Sequence, residues 1–277
     1  MRRRLQPVAL SVAFAIGAFV SAQSPLRADD LAYVITFTQA FGIVDLNTGV
    51  FTQEGVSSAY LSGLGEVNNV LYGASGVTDT LYRVNPANGS LTAVGNTSIN
   101  VSLLGSTTTG LFALGPGDTD LYSINPATGV ATLIGPTGIA SGETNGLSAG
   151  ANQLYYMVSN PGSSSLYSLN TTTGAATLIG SSSPGVCLKW MAYEDSTLYD
   201  ASGYCNSGSE IFKVNPANGS SQFVADVTGF DEPNGLAPIL TNVSVPEPGS
   251  ALLLFGGLVA VVFLRLRLAF GRRPSCR

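Results

Sequence analysis

Leu81-Tyr82-Arg83-Val84-Asn85-Pro86-Ala87-Asn88-Gly89 recurs as Leu121-Tyr122-Ser123-Ile124-Asn125-Pro126-Ala127-Thr128-Gly129. It returns as Leu166-Tyr167-Ser168-Leu169-Asn170-Thr171-Thr172-Thr173-Gly174 and as Ile211-Phe212-Lys213-Val214-Asn215-Pro216-Ala217-Asn218-Gly219. A worn first copy runs Phe41-Gly42-Ile43-Val44-Asp45-Leu46-Asn47-Thr48-Gly49. The copies start at 41, 81, 121, 166 and 211, a period of 40 to 45 residues, and a fixed period of that size is the signature of a repeat architecture.

Each copy continues into a second short apolar stretch, as in Leu91-Thr92-Ala93-Val94-Gly95, Ala131-Thr132-Leu133-Ile134-Gly135 and Ala176-Thr177-Leu178-Ile179-Gly180. The residues between are turn chemistry: proline presets φ, Asn or Thr follows, and glycine takes the left-handed position from which the chain re-enters the ladder. The unit is therefore a β-hairpin, repeated five times. Ahead of each hairpin lies another pair of apolar segments, such as Leu61-Ser62-Gly63-Leu64 with Val70-Leu71-Tyr72-Gly73, or Gly146-Leu147-Ser148 with Leu154-Tyr155-Tyr156-Met157.

Four strands per 40 to 45 residues predict an all-β chain whose units are propeller blades. A β-solenoid has shorter rungs, and a sandwich does not repeat its turns. The ends are complementary: Asn234-Gly235-Leu236-Ala237 reads as a first strand with no hairpin after it, while the copy beginning Tyr33-Val34-Ile35-Thr36 lacks a first strand. Pairing them closes the ring with one composite blade and leaves no open inner edge. The expectation is a five-bladed β-propeller of four-stranded blades, with six blades as the rival, over residues 29–241.

Outside that region the chain changes character. Met1-Arg2-Arg3-Arg4, an apolar run from Val8 to Val20 and small residues after it have the three parts of a secretory signal, expected to be a helix over residues 1–28. At the other end, residues 242–250 form a linker containing Pro246-Glu247-Pro248. Ala251 to Leu264 follow without a charge, and then come Arg265, Arg267, Arg272, Arg273 and Arg277. At 1.5 Å per residue the uncharged run spans about 21 Å of a hydrocarbon core of roughly 30 Å. A transmembrane helix within 251–277 must therefore borrow Leu266, Leu268, Ala269 and Phe270, with Arg265 and Arg267 snorkelling toward the headgroups. The basic end fixes the cytoplasmic side, which leaves the repeats outside. Both prolines lack amide hydrogens and hold the linker extended, so Glu247 is offered on an exposed, non-helical segment.

This tripartite tail closely resembles the PEP-CTERM sorting signal: Pro246, Glu247 and Pro248 match the triplet, and the helix and arginines follow in the same order. The resemblance covers only the end of the chain. It implies recognition and processing by an exosortase in a Gram-negative bacterium that makes exopolysaccharide. The expected localisation is an inner-membrane-anchored precursor, then the cell surface or extracellular matrix of a biofilm. The repeat region is similar, in a general way, to the propeller-like domains of secreted bacterial proteins, a likeness that carries no activity with it.

Charge is segregated. Of 12 basic residues only Arg83, Lys189 and Lys213 lie between Asp29 and Val245, whereas all 17 acidic residues except Glu247 lie there, so the middle carries about −13. Nucleic acid is excluded as a partner, since no basic patch is present to replace phosphate counterions. The chain has no histidine, so neither a Ser-His-Asp nor a Cys-His arrangement can be built, and no CxxC pair marks a zinc site. A non-enzymatic binding or structural module is the leading expectation. A secreted carbohydrate-active hydrolase, which needs only two carboxylates, is the alternative.

Propeller connectivity puts Asp79, Asp118, Asp120, Glu143, Glu210, Asp231 and Glu232 on one face. Oxygen ligands there could hold Ca²⁺, with Asp118 and Asp120 the leading pair; a solvated acidic rim needs no ion. No other cofactor is expected. Cys187 and Cys205 fall in the exported region, where an oxidising compartment favours a disulfide closing a loop of about 18 residues, worth roughly 3 kcal/mol. Two buried thiols are the other reading.

Overall fold

The computed structural model describes residues 30–140, 144–150, 152–194, 196–203, 208–230 and 232–239. In chain order its strands are β1 (Leu31–Thr36), β2 (Ala40–Asp45), β3 (Phe51–Val56), β4 (Gly63–Val67), β5 (Val70–Ser75), β6 (Thr80–Val84), β7 (Leu91–Asn96), β8 (Leu103–Thr107), β9 (Gly110–Leu114) and β10 (Asp120–Ile124). They continue as β11 (Ala131–Pro136), β12 (Thr144–Gly150), β13 (Gln153–Asn160), β14 (Ser163–Leu169), β15 (Ala176–Ser182), β16 (Leu188–Glu194), β17 (Thr197–Ser202), β18 (Glu210–Val214), β19 (Ser221–Asp226) and β20 (Pro233–Pro238). The described residues hold one other element, a 3₁₀ turn at Pro116–Asp118.

These strands form five antiparallel four-stranded sheets. Blade 1 has the order β20-β1-β2-β3, and blades 2 to 5 follow as β4–β7, β8–β11, β12–β15 and β16–β19. Blade 1 is the composite blade expected from the two incomplete ends: Val34 pairs with Leu236 and Tyr33 with Ala237. The inner strands β20, β4, β8, β12 and β16 each neighbour the next, and β16 returns to β20, so the ring closes at five. Each seam between blades holds its own buried cluster, five in all. Each fully buried Leu or Val in these seams is worth about 1.5–3 kcal/mol, so no blade holds its shape alone.

The repeated turn has a fuller cause than proline and glycine. Glycine does occupy the left-handed region in every copy, from φ 70° at Gly89 and Gly219 to 83° at Gly174. Each also donates its amide to the carbonyl four residues back, at 2.8 Å. The residue opening the turn adds a side-chain brace: the Oδ1 atoms of Asp45, Asn85, Asn125, Asn170 and Asn215 accept from the amide two residues on, at 2.8–2.9 Å. Asn or Asp recurs at the fifth position of every copy because its short side chain mimics a backbone turn.

The paired apolar residues of the outer strand have their own explanation. In all five blades the third and fourth strands share a bulge at the same place, for example between Leu81 and Tyr82 and between Leu166 and Tyr167. The extra residue, Val94, Ile134, Ile179 or Val224, packs on a seam cluster, while its predecessor stays outside. In blades 2, 3 and 4 a glycine follows it and lies against the next blade's turn: a Cβ on Gly95 would sit 2.0 Å from the carbonyl oxygen of Thr128.

The signal segment 1–28, the linker with Pro246, Glu247 and Pro248, the segment 251–277 with Arg265, Arg267, Arg272 and Arg273, and also Cys205, Glu143 and Asp231 lie outside the described residues. No helix among the described residues is long and apolar enough to cross a membrane.

Candidate functional site

Inner strands show where one blade departs from the rest. Four of them carry Ser or Asn two residues before a shared leucine: Ser62-Gly63-Leu64, Ser102-Leu103-Leu104, Asn145-Gly146-Leu147 and Asn234-Gly235-Leu236. Blade 5 instead has Lys189-Trp190-Met191. Opposite Met191 stands Asp200, where the other blades place Gly73, Ala113, Tyr156 and Val34. The backbone has changed with the side chains: the β16–β17 register shifts between Leu188 and Trp190. There the Lys189 amide donates to Asp200 Oδ1 at 2.8 Å. Asp200 is fully buried, and burial holds its carboxyl well above the ordinary carboxylate range, against the opposing pull of the Lys189 and Trp190 amides.

The irregular strand turns the Lys189 ammonium into a mixed environment. Its Nζ forms an ion pair of 3.1 Å with Glu232 on the connection into blade 1 and lies 3.8 Å from the centre of the Trp190 ring. Burial pushes the ammonium pKa down, and Glu232 pulls it partly back. At the start of β20, Asn234 is buried and accepts from the Tyr60 hydroxyl at 3.1 Å, while Tyr60 meets the exposed ring of Phe37 edge-on. A cleft of about 570 Å³ lies between blades 5 and 1, lined in part by Thr38, Gln53, Ser209, Val227 and Phe230. The cleft itself is walled by hydroxyls, the Gln53 side chain and the Phe230 ring, and the Lys189–Glu232 ion pair is not part of its lining.

Strand direction places Asp79, Asp118, Asp120, Glu210 and Glu232 at second-to-third-strand and blade-to-blade connections, the face expected for them. Asp118 and Asp120 have different surroundings. The Asp118 carboxylate accepts from the Ser102 hydroxyl on one oxygen and from the Asn145 side-chain amide on the other, tying blade 3 to blade 4. Asp120 opens β10 opposite Pro136. Among the described residues no three of His, Cys, Asp and Glu converge to hold a metal ion. Cys187 is fully buried and disulfide-bonded, while Cys205 lies outside the described residues.

Sequence reasoning followed the carboxylates and passed over Lys189, Trp190 and Asp200. Their signal was present in the repeat itself, as the one inner strand whose opening is neither Ser nor Asn.

Five radial four-stranded sheets around a closed inner ring make the protein a five-bladed β-propeller. No family model matches the chain, and no curated protein does. Among solved structures it is similar to a chain in the crystal structure of a nidogen/laminin complex, with 11% identity and a TM-score of 0.50 over 75% of this chain and 81% of that one. It also matches the Myxococcus xanthus glutaminyl cyclase, with 18% identity and a TM-score of 0.41 over 71% and 75%. At such identities the first likeness shows the fold alone, and the second adds nothing to it.

Proposed function

We propose that the chain is an exported, non-enzymatic binding or structural module, delivered through its signal segment 1–28 and held by the tail 251–277. An exosortase recognises the sorting signal that Pro246-Glu247-Pro248 opens and processes the tail, and the propeller remains at the cell surface or in the extracellular matrix, associated with exopolysaccharide. The disulfide of Cys187 is closed by Cys205.

The observation that carries the reading is the placement of the two chain ends. The Ile239 amide donates to the Leu31 carbonyl, so entry and exit share one end of blade 1. The tail then leaves from the end opposite the Lys189–Glu232 cluster, because β20 runs from Pro233 beside that cluster to Pro238. A handle attached there leaves the ligand-holding face turned away from the membrane. The carboxylates of Asp118 and Glu232, which partner Ser102, Asn145 and Lys189, support a holding role over a bond-breaking one. A fold neighbour found in a nidogen/laminin complex is in keeping with a propeller used for binding.

Two measurements test this. Mass spectrometry of the mature C-terminus, with and without the exosortase, is expected to show loss of Arg272 and Arg273 only when the enzyme is present; their retention in the finished product overturns the sorting role. Incubating the exported protein with the producing strain's polysaccharide is expected to show binding without new reducing ends. Release of reducing ends would establish the hydrolase instead.

A further inference from the structure

We infer that the outer edge of blade 4 is a self-association surface, on which two copies of this chain pair their β15 strands antiparallel about a two-fold axis. The inference goes beyond the proposed sorting and binding role and does not depend on it.

Every blade ends in an outer strand with one edge unpaired by its own sheet. Such edges are templates for pairing with other chains unless something blocks them. Exposed Glu54 guards β3, Asp226 ends β19, and Pro136, which has no amide hydrogen, ends β11. On β7 no charge is present, but its exposed residues are Thr92, Ala93 and Asn96, with little apolar surface to offer. Strand β15, Ala176-Thr177-Leu178-Ile179-Gly180-Ser181-Ser182, has no charge and no proline, and Leu178 stands 56% exposed on it.

Charge selects the occupant. From Thr144 through Leu188 the chain has no Asp, Glu, Lys or Arg, although the repeat region as a whole carries about −13. Copies that approach through other blades bring acidic side chains together, and like charges repel. Approach through blade 4 opposes none. A basic partner would be drawn to the acidic connections instead, so the uncharged edge suits a second copy of the same chain.

Antiparallel pairing of one strand with itself is self-complementary, as a two-fold interface requires. It places the two Leu178 side chains on the same face of a continuous eight-stranded sheet, a count that follows from two four-stranded blades and from the alternation of side chains along a strand.

Sedimentation velocity of the full chain in detergent tests the inference. The wild type is expected to sediment as a dimer. Leu178→Lys, a change at an exposed position, is expected to weaken the dimer by about tenfold or more while leaving the melting temperature in place. Ala93→Lys, at the equivalent position of blade 2, is expected to leave the dimer intact. A monomeric wild type overturns the inference. So does a dimer that survives Leu178→Lys, or one that Ala93→Lys disrupts equally, which would assign association to the tail or to the rim at large.

Discussion

Val34 lies directly opposite Leu236 in the ladder between β1 and β20, so the two ends of the described chain share one blade. Leu236 is 4% exposed and packs in the cluster that joins blades 5 and 1, with Trp190 and Tyr199. Beside it, the Tyr199 hydroxyl donates to the Asp30 carboxylate across the same seam. Truncation to Leu236→Ala removes packing at the closure point and is expected to cost about 2–5 kcal/mol. Urea unfolding is expected to remain a single transition with a lower midpoint, because opening the ring exposes both flanking seams. An early separate transition would show that blade 1 opens while the other four hold.

The turn glycines give a sharper contrast. Gly89 and Gly117 have nearly the same positive φ, 70° and 72°. A Cβ on Gly117 meets open space, whereas one on Gly89 falls 2.5 Å from Phe41 Cβ in the neighbouring blade. Gly117→Ala is expected to cost about 1–2 kcal/mol for the left-handed backbone alone. Gly89→Ala adds overpacking of about 1–3 kcal/mol, so its melting temperature is expected to fall further. Equal losses would mean that the seam yields without cost.

Much of this architecture was legible because repetition does what a single strand's pattern cannot. Asn85-Pro86-Ala87-Asn88-Gly89 alone marks a turn; five copies at a period of 40 to 45 residues also mark the blade and the composite closure, with the choice of five blades over six made by the ring itself. Other features depend on contacts between repeats. Adjacent Leu178 and Ile179 look equivalent in sequence, yet the bulge sends one outward and the other into the seam. Likewise, Asp118 reads as a carboxylate free for an ion until folding brings Ser102 and Asn145 to it. Asp200 carries no local sign of burial, since its partners are the amides of an irregular neighbouring strand.

Asp118 is expected to act as an inter-blade brace whether or not Ca²⁺ is present. Replacing it with Ala removes an acceptor from the buried Asn145 amide, while the Ser102 hydroxyl keeps the Leu114 and Gly115 carbonyls as acceptors. The expected cost is about 1–3 kcal/mol, the range for a buried polar group that loses its partner. Differential scanning calorimetry with and without Ca²⁺ is expected to show the same drop in melting temperature. A drop confined to Ca²⁺-containing buffer would instead identify Asp118 as a ligand.

Asp200 makes stability depend on pH in a stated direction. Its side chain lies on the same face of β17 as Leu198, which packs in the seam of blades 4 and 5. Burial there keeps its carboxyl protonated at pH values where an ordinary carboxylate has ionised. The unfolded chain gives up that proton near pH 4. Below that value both states hold the proton, and the side chain's stabilisation is complete. As pH rises above it, the folded state retains a proton that the unfolded state has released, so stability falls until the folded carboxyl ionises too. Asp200→Asn keeps an acceptor for the Lys189 amide at 2.8 Å but has nothing to ionise. Its stability relative to wild type is therefore expected to increase steadily from about pH 4 toward neutrality. Urea midpoints for both proteins across that range check the prediction. A difference that does not change with pH would show that Asp200 ionises in the folded ring as readily as in the unfolded chain.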